Sequence, residues 1–194
     1  MQKISRTVSV AFALIILVTC RSQESRQEKA SDCVILWGAG YSFTIATYEG
    51  WTIRSTDQAV GRIAFLYPKE GNSDDATVYG YVTVDAKPNN QAISFKAAIE
   101  ATCADYLTAN PGMQANRDKP FITGDKKTAP VIRFTGHPSG RHEAVAFIEE
   151  STIIVRIGYV AKTEQDFLGA YNLLERVVNS YVFLGLKVID QRHR

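Results

Sequence analysis

The sequence is poor in cysteine and lacks the short motifs that mark common catalytic sites. Three cysteines occur among 194 residues, and none forms a Cys-x-x-Cys redox pair or has the spacing of a zinc site. The stretch "GHPSGRH" around Ser139 is not a Gly-x-Ser-x-Gly elbow, and "WGAG" at residues 37–40 lacks the strand-to-helix setting of a phosphate loop. These absences argue against a dithiol oxidoreductase, a zinc site, a serine hydrolase and a phosphate-loop protein.

A hydrophobic run long enough for a comfortable membrane span is also missing. The most apolar stretch, residues 7–18, is uncharged and follows Lys3 and Arg6, whereas a transmembrane helix needs about 20 apolar residues. A basic start followed by a short apolar core is typical of an export signal. A short transmembrane anchor is the alternative interpretation.

The apolar run ends in "LVTC", which resembles the lipobox of bacterial lipoproteins, where the cysteine becomes the acylated first mature residue. Leu17 and Val18 fit that pattern, whereas Thr19 stands where Gly, Ala or Ser is usual. We therefore expect a lipoprotein-type signal peptide over residues 1–20, with lipid on Cys20. The protein would then be exported and attached to a membrane, facing the periplasm or the cell exterior.

Processing at Cys20 changes the charge balance of the chain. The whole sequence has 22 basic and 20 acidic residues, and residues 1–20 contain Lys3, Arg6 and no acid. The mature chain would therefore have 22 − 2 = 20 basic and 20 acidic residues. A neutral chain argues against a nucleic-acid partner, because phosphate binding needs clustered Lys and Arg.

The remaining two cysteines are candidates for a disulfide. Exported proteins meet an oxidising compartment, and with Cys20 acylated Cys33 and Cys103 are free to pair. Such a bond would close a loop of about 70 residues and stabilise the fold by about 4 kcal/mol in the chain-entropy model. Cys103 as a small, buried apolar residue on a helix is the alternative.

The rest of the chain is organised as one domain. Residues 21–31 contain no large apolar residue and are interpreted as a polar tether. A single α+β domain is expected over residues 32–186, followed by a polar tail at residues 187–194. Polar clusters inside it, including Asp74 and Asp75, are interpreted as turns.

Period-two alternation predicts strands before and after a helix. The first group lies within "YSFTIATYEGWTIRS", "RIAFLYP" and "TVYGYVTVDA", and the second within "TAPVIRFTGH", "EAVAFIEE" and "TIIVRIGYV". A helix is expected after the N-cap Ser94, with Phe95, Ile99, Cys103, Tyr106 and Leu107 on one stripe. A second helix should begin at the capping sequence "TEQD". It should end near Phe183, with an apolar stripe made by Phe167, Leu168, Tyr171, Leu174, Val177, Val178 and Tyr181.

Short connections imply antiparallel pairing, and each amphipathic helix must cover a sheet. The predicted fold class is α+β: an antiparallel β-sheet of about six to seven strands flanked by two main helices in an α/β/α arrangement. Tyr79 and Tyr81 share one strand face. They would either form a binding platform or be covered by a helix, and the second interpretation is favoured.

This pattern resembles the Mog1/PsbP-like superfamily, in particular its small bacterial lipoproteins. The similar stretches are "YSFTIATYEGWTIRS", "AFLYPKEG" and "TEQDFLGAYNLLERVVNSYVFL", within about residues 36–186. Tyr48 stands where the family usually has Pro. The resemblance implies an antiparallel sheet flanked by helices and an accessory, assembly or binding role without a cofactor. No metal or partner residue of the family has a matching motif here.

Three functions remain open. We expect a lipid-anchored, non-enzymatic envelope protein that contacts the membrane through Cys20 and binds a protein or envelope component. An inhibitor or immunity-type protein that neutralises a toxin is the alternative. A hydrolytic or metal-dependent enzyme is the lesser alternative, using His137, His142 and Glu143, although "HPSG" also fits a simple hairpin turn.

Overall fold

The structure, a computed structural model, describes residues 32–55, 62–70, 76–87 and 94–185. Cys20, the expected signal peptide and tether, Asp74, Asp75 and the tail at residues 187–194 lie outside the described residues. Ten strands and two helices are described, in this chain order: β1 (Asp32–Gly38), β2 (Tyr41–Thr47), β3 (Trp51–Ser55), β4 (Arg62–Pro68), β5 (Val78–Ala86), α1 (Phe95–Ala109), β6 (Gln114–Ile122), β7 (Thr128–Thr135), β8 (His142–Glu149), β9 (Ile153–Ala161), α2 (Glu164–Asn179) and β10 (Val182–Phe183).

The main element is a seven-stranded sheet in the order β3-β4-β5-β9-β8-β7-β6, and every pairing in it is antiparallel. Strand β9 lies in the middle, between β5 and β8, and is almost wholly buried. The predicted α+β class, with a sheet of six to seven strands and two helices, is therefore confirmed. A separate three-stranded sheet, in the order β1-β2-β10, was not expected.

The two faces of the large sheet carry two separate apolar clusters. On β9, Val155 and Ile157 belong to one cluster, while Ile154 and Val160 belong to the other. Helix α2 and the small sheet pack on the first face, through residues such as Leu174 of α2. Helix α1 packs on the second face. Alternation along each central strand thus supplies a core on both sides of one sheet.

Both helices begin as the sequence predicts. The Ser94 hydroxyl accepts a hydrogen bond from the backbone N–H of Ala97, and the Thr163 hydroxyl accepts one from the N–H of Asp166. These bonds satisfy donors that the first helical turn leaves unpaired. The predicted stripe of α1 also lies in the second cluster, with Ile99 fully buried and its neighbours partly buried.

The end of α2 differs from the prediction. The helix ends at Asn179, and Val182 and Phe183 form a short strand that pairs with β2. Ser180 explains the stop, because its side chain accepts the backbone N–H of Ala46 on β2 at 2.8 Å. Leu168, expected on the buried stripe, is 58% exposed.

The two strands predicted around the Gly-Trp turn do not pair with each other. Strand β2 joins the small sheet, whereas β3 joins the edge of the large sheet. Gly50 makes this change of sheet possible, since its φ of 79° lies in the left-handed region that favours glycine. Strands β1 and β6 were not predicted from the sequence.

Candidate functional site

The α1 face of the large sheet contains a cleft lined by α1, β5, β8 and β9. This cleft, here called the α1 cleft, has a volume of about 530 Å³ and lies between α1 and the central strands. Phe147 of β8 and Ile154 of β9 line it on the sheet side. Such a volume falls within the range of small-molecule pockets, about 300–1,000 Å³.

Small side chains on α1 leave this space open. Ala98, Ala101 and Ala109 line the cleft from the helix, where larger residues would fill the gap to the sheet. Thr102 also faces it, but its hydroxyl donates back to the carbonyl of Ala98 at 3.0 Å. The helix wall is therefore mostly apolar, and Asp105 and Tyr106 are its other polar residues.

The rim of the cleft is charged, and its basic residues are paired. Arg156 forms a two-point ion pair with Asp85, with N–O distances of 2.8 and 2.9 Å. Lys87 contacts Glu149 at 2.7 Å. These partly exposed pairs stabilise the fold only slightly, by about 0–1 kcal/mol each. They can exchange partners with a polar ligand because water already reaches them.

A buried carboxylate holds α1 to the sheet beside the cleft. Glu143 of β8 is 4% exposed. Its Oε1 accepts a hydrogen bond from the Tyr81 hydroxyl at 2.5 Å, and its Oε2 accepts one from the Tyr106 hydroxyl of α1. Arg141 in turn donates to the Tyr106 oxygen at 3.1 Å. Hydrogen bonds to a charged group contribute about 1.5–3 kcal/mol each.

The environment keeps both tyrosines protonated. Burial, and then the neighbouring Glu143 carboxylate, raise the pKa of Tyr81 and of Tyr106 above the ordinary value. Each hydroxyl therefore donates to Glu143 across the neutral pH range, and both carboxylate oxygens are occupied. This arrangement makes Glu143 a structural tie for α1 rather than an exposed general base.

A glycine on β9 allows Tyr81 to reach Glu143, which lies two strands away. Tyr81 is on β5 and Glu143 is on β8, with β9 between them. The Tyr81 ring crosses Gly158, where an added Cβ would lie 2.5 Å from the tyrosine Cε1 and oxygen. Gly80 makes room for the Tyr159 ring in the same way on the opposite face of the sheet, where an added Cβ would lie 2.7 Å from the ring atom Cε2. Tyr81 is buried in the α1-side cluster, as the prediction of helix cover requires, whereas Tyr79 is half-buried and its ring contacts Phe65.

The histidines proposed for an enzyme do not converge with Glu143. His142 and Glu143 are adjacent on β8, so their side chains lie on opposite faces, and His142 contacts the Phe167 ring of α2. His137 contacts Asn110 at 3.1 Å and Ser139 in a turn closed by the Gly140 N–H. Among the described residues no group of three or more His, Cys, Asp and Glu could hold a metal ion.

The cysteines proposed for a disulfide are free thiols in this structure. Cys33 is exposed on β1, in the small sheet on the α2 side. Cys103 is half-buried on α1, against the opposite face of the large sheet, and burial raises the pKa of its thiol. Because the sheet separates them, the structure gives the pairing no support. Cys103 instead matches the alternative of a small core residue.

A second buried carboxylate, Glu150, lies in the connection between β8 and β9. Glu150 is 6% exposed, and its Oε1 accepts from Lys127 at 2.5 Å and from the Tyr181 hydroxyl at 3.1 Å. Asp125 contacts the same lysine at 3.0 Å. This cluster fixes the segment after α2 against the β6–β7 connection, where Gly124 also donates to the Tyr181 carbonyl.

A smaller cleft of about 420 Å³ borders the other flank of α1, over β6 and β7. Phe95, Ile99 and Pro130 give it apolar walls, with Arg117 and Asp118 at the edge. Helix α1 thus lies between two clefts and contacts the sheet mainly along its predicted stripe.

In the described part of the chain, no helix is both long and apolar enough to cross a membrane.

Several solved structures are similar to this chain, and three of them are described here. Cyanobacterial PsbP (CyanoP) from Synechocystis sp. PCC 6803 is 12% identical, with 78% of this chain and 96% of that chain covered and a TM-score of 0.50. LpqN of Mycobacterium tuberculosis is 10% identical, with 78% and 90% covered and a TM-score of 0.55. The Ran-binding protein Mog1p of Saccharomyces cerevisiae is 16% identical, with 78% and 94% covered and a TM-score of 0.48. The chain has a Mog1/PsbP-like fold.

The Mog1/PsbP-like resemblance expected from the sequence is therefore confirmed, at the level of the fold. No family model matches the sequence, and no curated protein matches it in sequence. Within this Mog1/PsbP-like fold, sequence reasoning missed the α1 cleft, the Glu143 tie and the buried role of Glu150. The one available signal was the placement of Gly158 in an otherwise bulky strand, since glycine in a strand often marks a close approach.

Proposed function

We propose that this protein is a lipid-anchored, non-enzymatic accessory protein of the bacterial envelope, which binds a protein or envelope component in the α1 cleft. The observation that carries the proposal is the chemistry of this cleft. Phe147 and Ile154 provide an apolar floor, and ion pairs at the rim provide polar contacts. Binding sites typically combine mostly apolar walls with a few placed polar groups.

The state of the titratable groups supports binding without catalysis. Both oxygens of Glu143 accept hydrogen bonds from tyrosines, and Arg156 and Lys87 are paired with carboxylates. A general base needs a free lone pair within reach of the proton that it removes. Glu143 does not present one to the cleft, and His142 is on the other face of the sheet.

The proposed location is supported by the N-terminal sequence. Lys3 and Arg6, the apolar residues 7–18 and the lipobox-like "LVTC" form a consistent export and lipidation pattern. LpqN, which has the same fold, is described as involved in cell envelope biogenesis. That protein offers a precedent for this fold in an envelope setting.

The location is tested by Cys20→Ala in the full chain, expressed in a bacterial host, together with globomycin, an inhibitor of lipoprotein signal peptidase. We expect the wild type to be found in the membrane fraction and to lose membrane attachment on substitution. Globomycin should cause the unprocessed precursor to accumulate. A wild-type protein that is exported, soluble and unacylated would refute the lipid anchor.

The binding site is tested by placing a photoreactive amino acid at Ala101 in the wall of the cleft. The matched control carries the same amino acid at Leu168, which is 58% exposed on α2 on the other side of the sheet. Irradiation of intact membranes should give a discrete adduct from position 101 and not from position 168. Equal labelling from both positions would contradict the proposed site.

A further inference from the structure

The small sheet has an apolar outer face that no described residue covers. Along β1, Val34 and Leu36 pack into the core beneath the small sheet. Side chains alternate along a strand, so Ile35 and Trp37 point outward, and they are 58% and 66% exposed. A tryptophan this exposed is uncommon in a folded domain and calls for an explanation.

The third strand extends the same face. Val182 and Leu184 are 36% and 47% exposed. The register aligns Val182 with Ile35 across Thr44, and the Leu184 N–H continues the ladder by donating to the Ser42 carbonyl at 2.9 Å. Four large apolar side chains therefore lie in two rows across the sheet, on either side of the polar Ser42 and Thr44 of β2. We call them the outer patch: Ile35, Trp37, Val182 and Leu184.

We infer that the outer patch rests on the surface of the lipid bilayer that holds the acyl chains of Cys20. The inference rests on the proposed lipid anchor. Residues 21–31 separate Cys20 from Asp32, the first residue of β1, which is the strand that carries Ile35 and Trp37. These eleven residues can span at most about 40 Å, which is about the diameter of a domain of this size. The start of β1 therefore stays within about one domain diameter of the bilayer surface.

The chemistry of the patch fits a bilayer surface. Tryptophan is enriched at membrane–water interfaces because its ring is apolar and its N–H remains hydrated. An anchored domain also meets the lipid at high effective concentration, so weak contacts suffice to orient it. The patch then determines which side of the domain faces the membrane, while the acyl chains hold it there.

This orientation has a consequence for the α1 cleft. The small sheet lies on the α2 side of the large sheet, and α1 lies on the opposite side. With the outer patch on the lipid, the cleft opens away from the membrane and remains accessible to a partner. The two faces of the domain thus take different roles.

The test uses fluorescence of the full-length, lipidated protein in vesicles of phosphatidylethanolamine and phosphatidylglycerol. Trp51→Phe leaves Trp37 as the remaining tryptophan, because the sequence contains two. We expect its emission to shift to shorter wavelength on reconstitution and to be quenched when the lipids carry brominated acyl chains. The control, Trp37→Phe, retains Trp51, which is packed against Tyr159 and should show no quenching.

The intact mass of the same sample distinguishes a failure of the lipid anchor from a failure of the membrane contact made by the outer patch. An acylated Cys20 with unquenched Trp37 would overturn the membrane contact and leave the lipid anchor standing. A shift of Trp37 emission with protein concentration in detergent, without quenching in vesicles, would overturn it in favour of a second copy of the chain. An unmodified Cys20 would refute the anchor, and the inference with it.

Discussion

The crossing of Tyr81 over Gly158 gives the sharpest prediction about how α1 is held. Gly158→Ala would place a Cβ 2.5 Å from the Tyr81 Cε1 and oxygen, a separation far inside van der Waals contact. The ring must then move, and its hydrogen bond to Glu143 must lengthen or break. We therefore expect Gly158→Ala to destabilise the fold and to loosen α1, which Glu143 holds through Tyr106.

The expected change in the free energy of unfolding combines two destabilising contributions with one stabilising contribution. Overpacking a core costs about 1–3 kcal/mol, and losing a hydrogen bond to a charged group costs about 1.5–3 kcal/mol. Replacing glycine reduces the entropy of the unfolded chain and stabilises the fold by about 0.4–1 kcal/mol. The net destabilisation from Gly158→Ala is therefore about 2–5 kcal/mol.

Urea unfolding followed by circular dichroism measures this difference as a shift of the midpoint at constant slope. The same substitution should cost little once Tyr81→Ala has removed the ring, so most of the cost of Gly158→Ala should appear as coupling energy in the double-mutant cycle. Gly169→Ala is the matched control, because an added Cβ on this exposed face of α2 meets nothing within 4 Å. If Gly158→Ala leaves stability unchanged, or costs as much without the Tyr81 ring, then the contact between Tyr81 and Gly158 does not hold α1 in place.

Further predictions concern two other tyrosines and one carboxylate. Tyr181→Phe should destabilise the fold by about 1.5–3 kcal/mol because it removes the hydrogen bond to the buried Glu150. Tyr159→Phe should be neutral or stabilising in the same urea assay, since no described residue hydrogen-bonds to that buried hydroxyl; a comparable loss in both variants would contradict the assignment. Burial raises the pKa of Asp118, but hydrogen bonds from Tyr171 and Arg133 outweigh burial and lower it overall. Its stabilising effect should thus be complete above the unfolded pKa of about 3.9 and be lost as pH falls below it. The cost of Arg133→Gln should therefore be larger at pH 7 than at acid pH, and a cost independent of pH would argue against this ion pair.

The sequence predicts the elements in which the hydrophobic pattern of the residues matches their burial in the fold. Strand β5 alternates because one of its faces meets α2 and the other meets α1, and both helices carry a polar cap at the predicted residue. Strand β6 was missed because it lies at the edge of the sheet, is mostly exposed and contains Pro120, so it shows no apolar alternation. The two-residue strand β10 has too little sequence to produce a pattern.

The candidate site was less predictable because it depends on strand order. Nothing in the sequence near Tyr81 indicates that Glu143 lies two strands away, or that Gly158 opens the path between them. The α1 cleft likewise depends on the distance between α1 and the sheet, which the local sequence does not specify. Reading His142 and Glu143 as joint ligands fails for a simpler reason, since adjacent residues on a strand face opposite sides.

The intact mass of the mature protein purified from membranes shows whether the protein is anchored by lipid on Cys20. We expect a chain that begins at Cys20 and carries glycerol-linked and amide-linked acyl chains, with Cys20→Ala blocking that processing. A mature chain that begins at any other residue, or an unmodified Cys20, would contradict the lipid anchor.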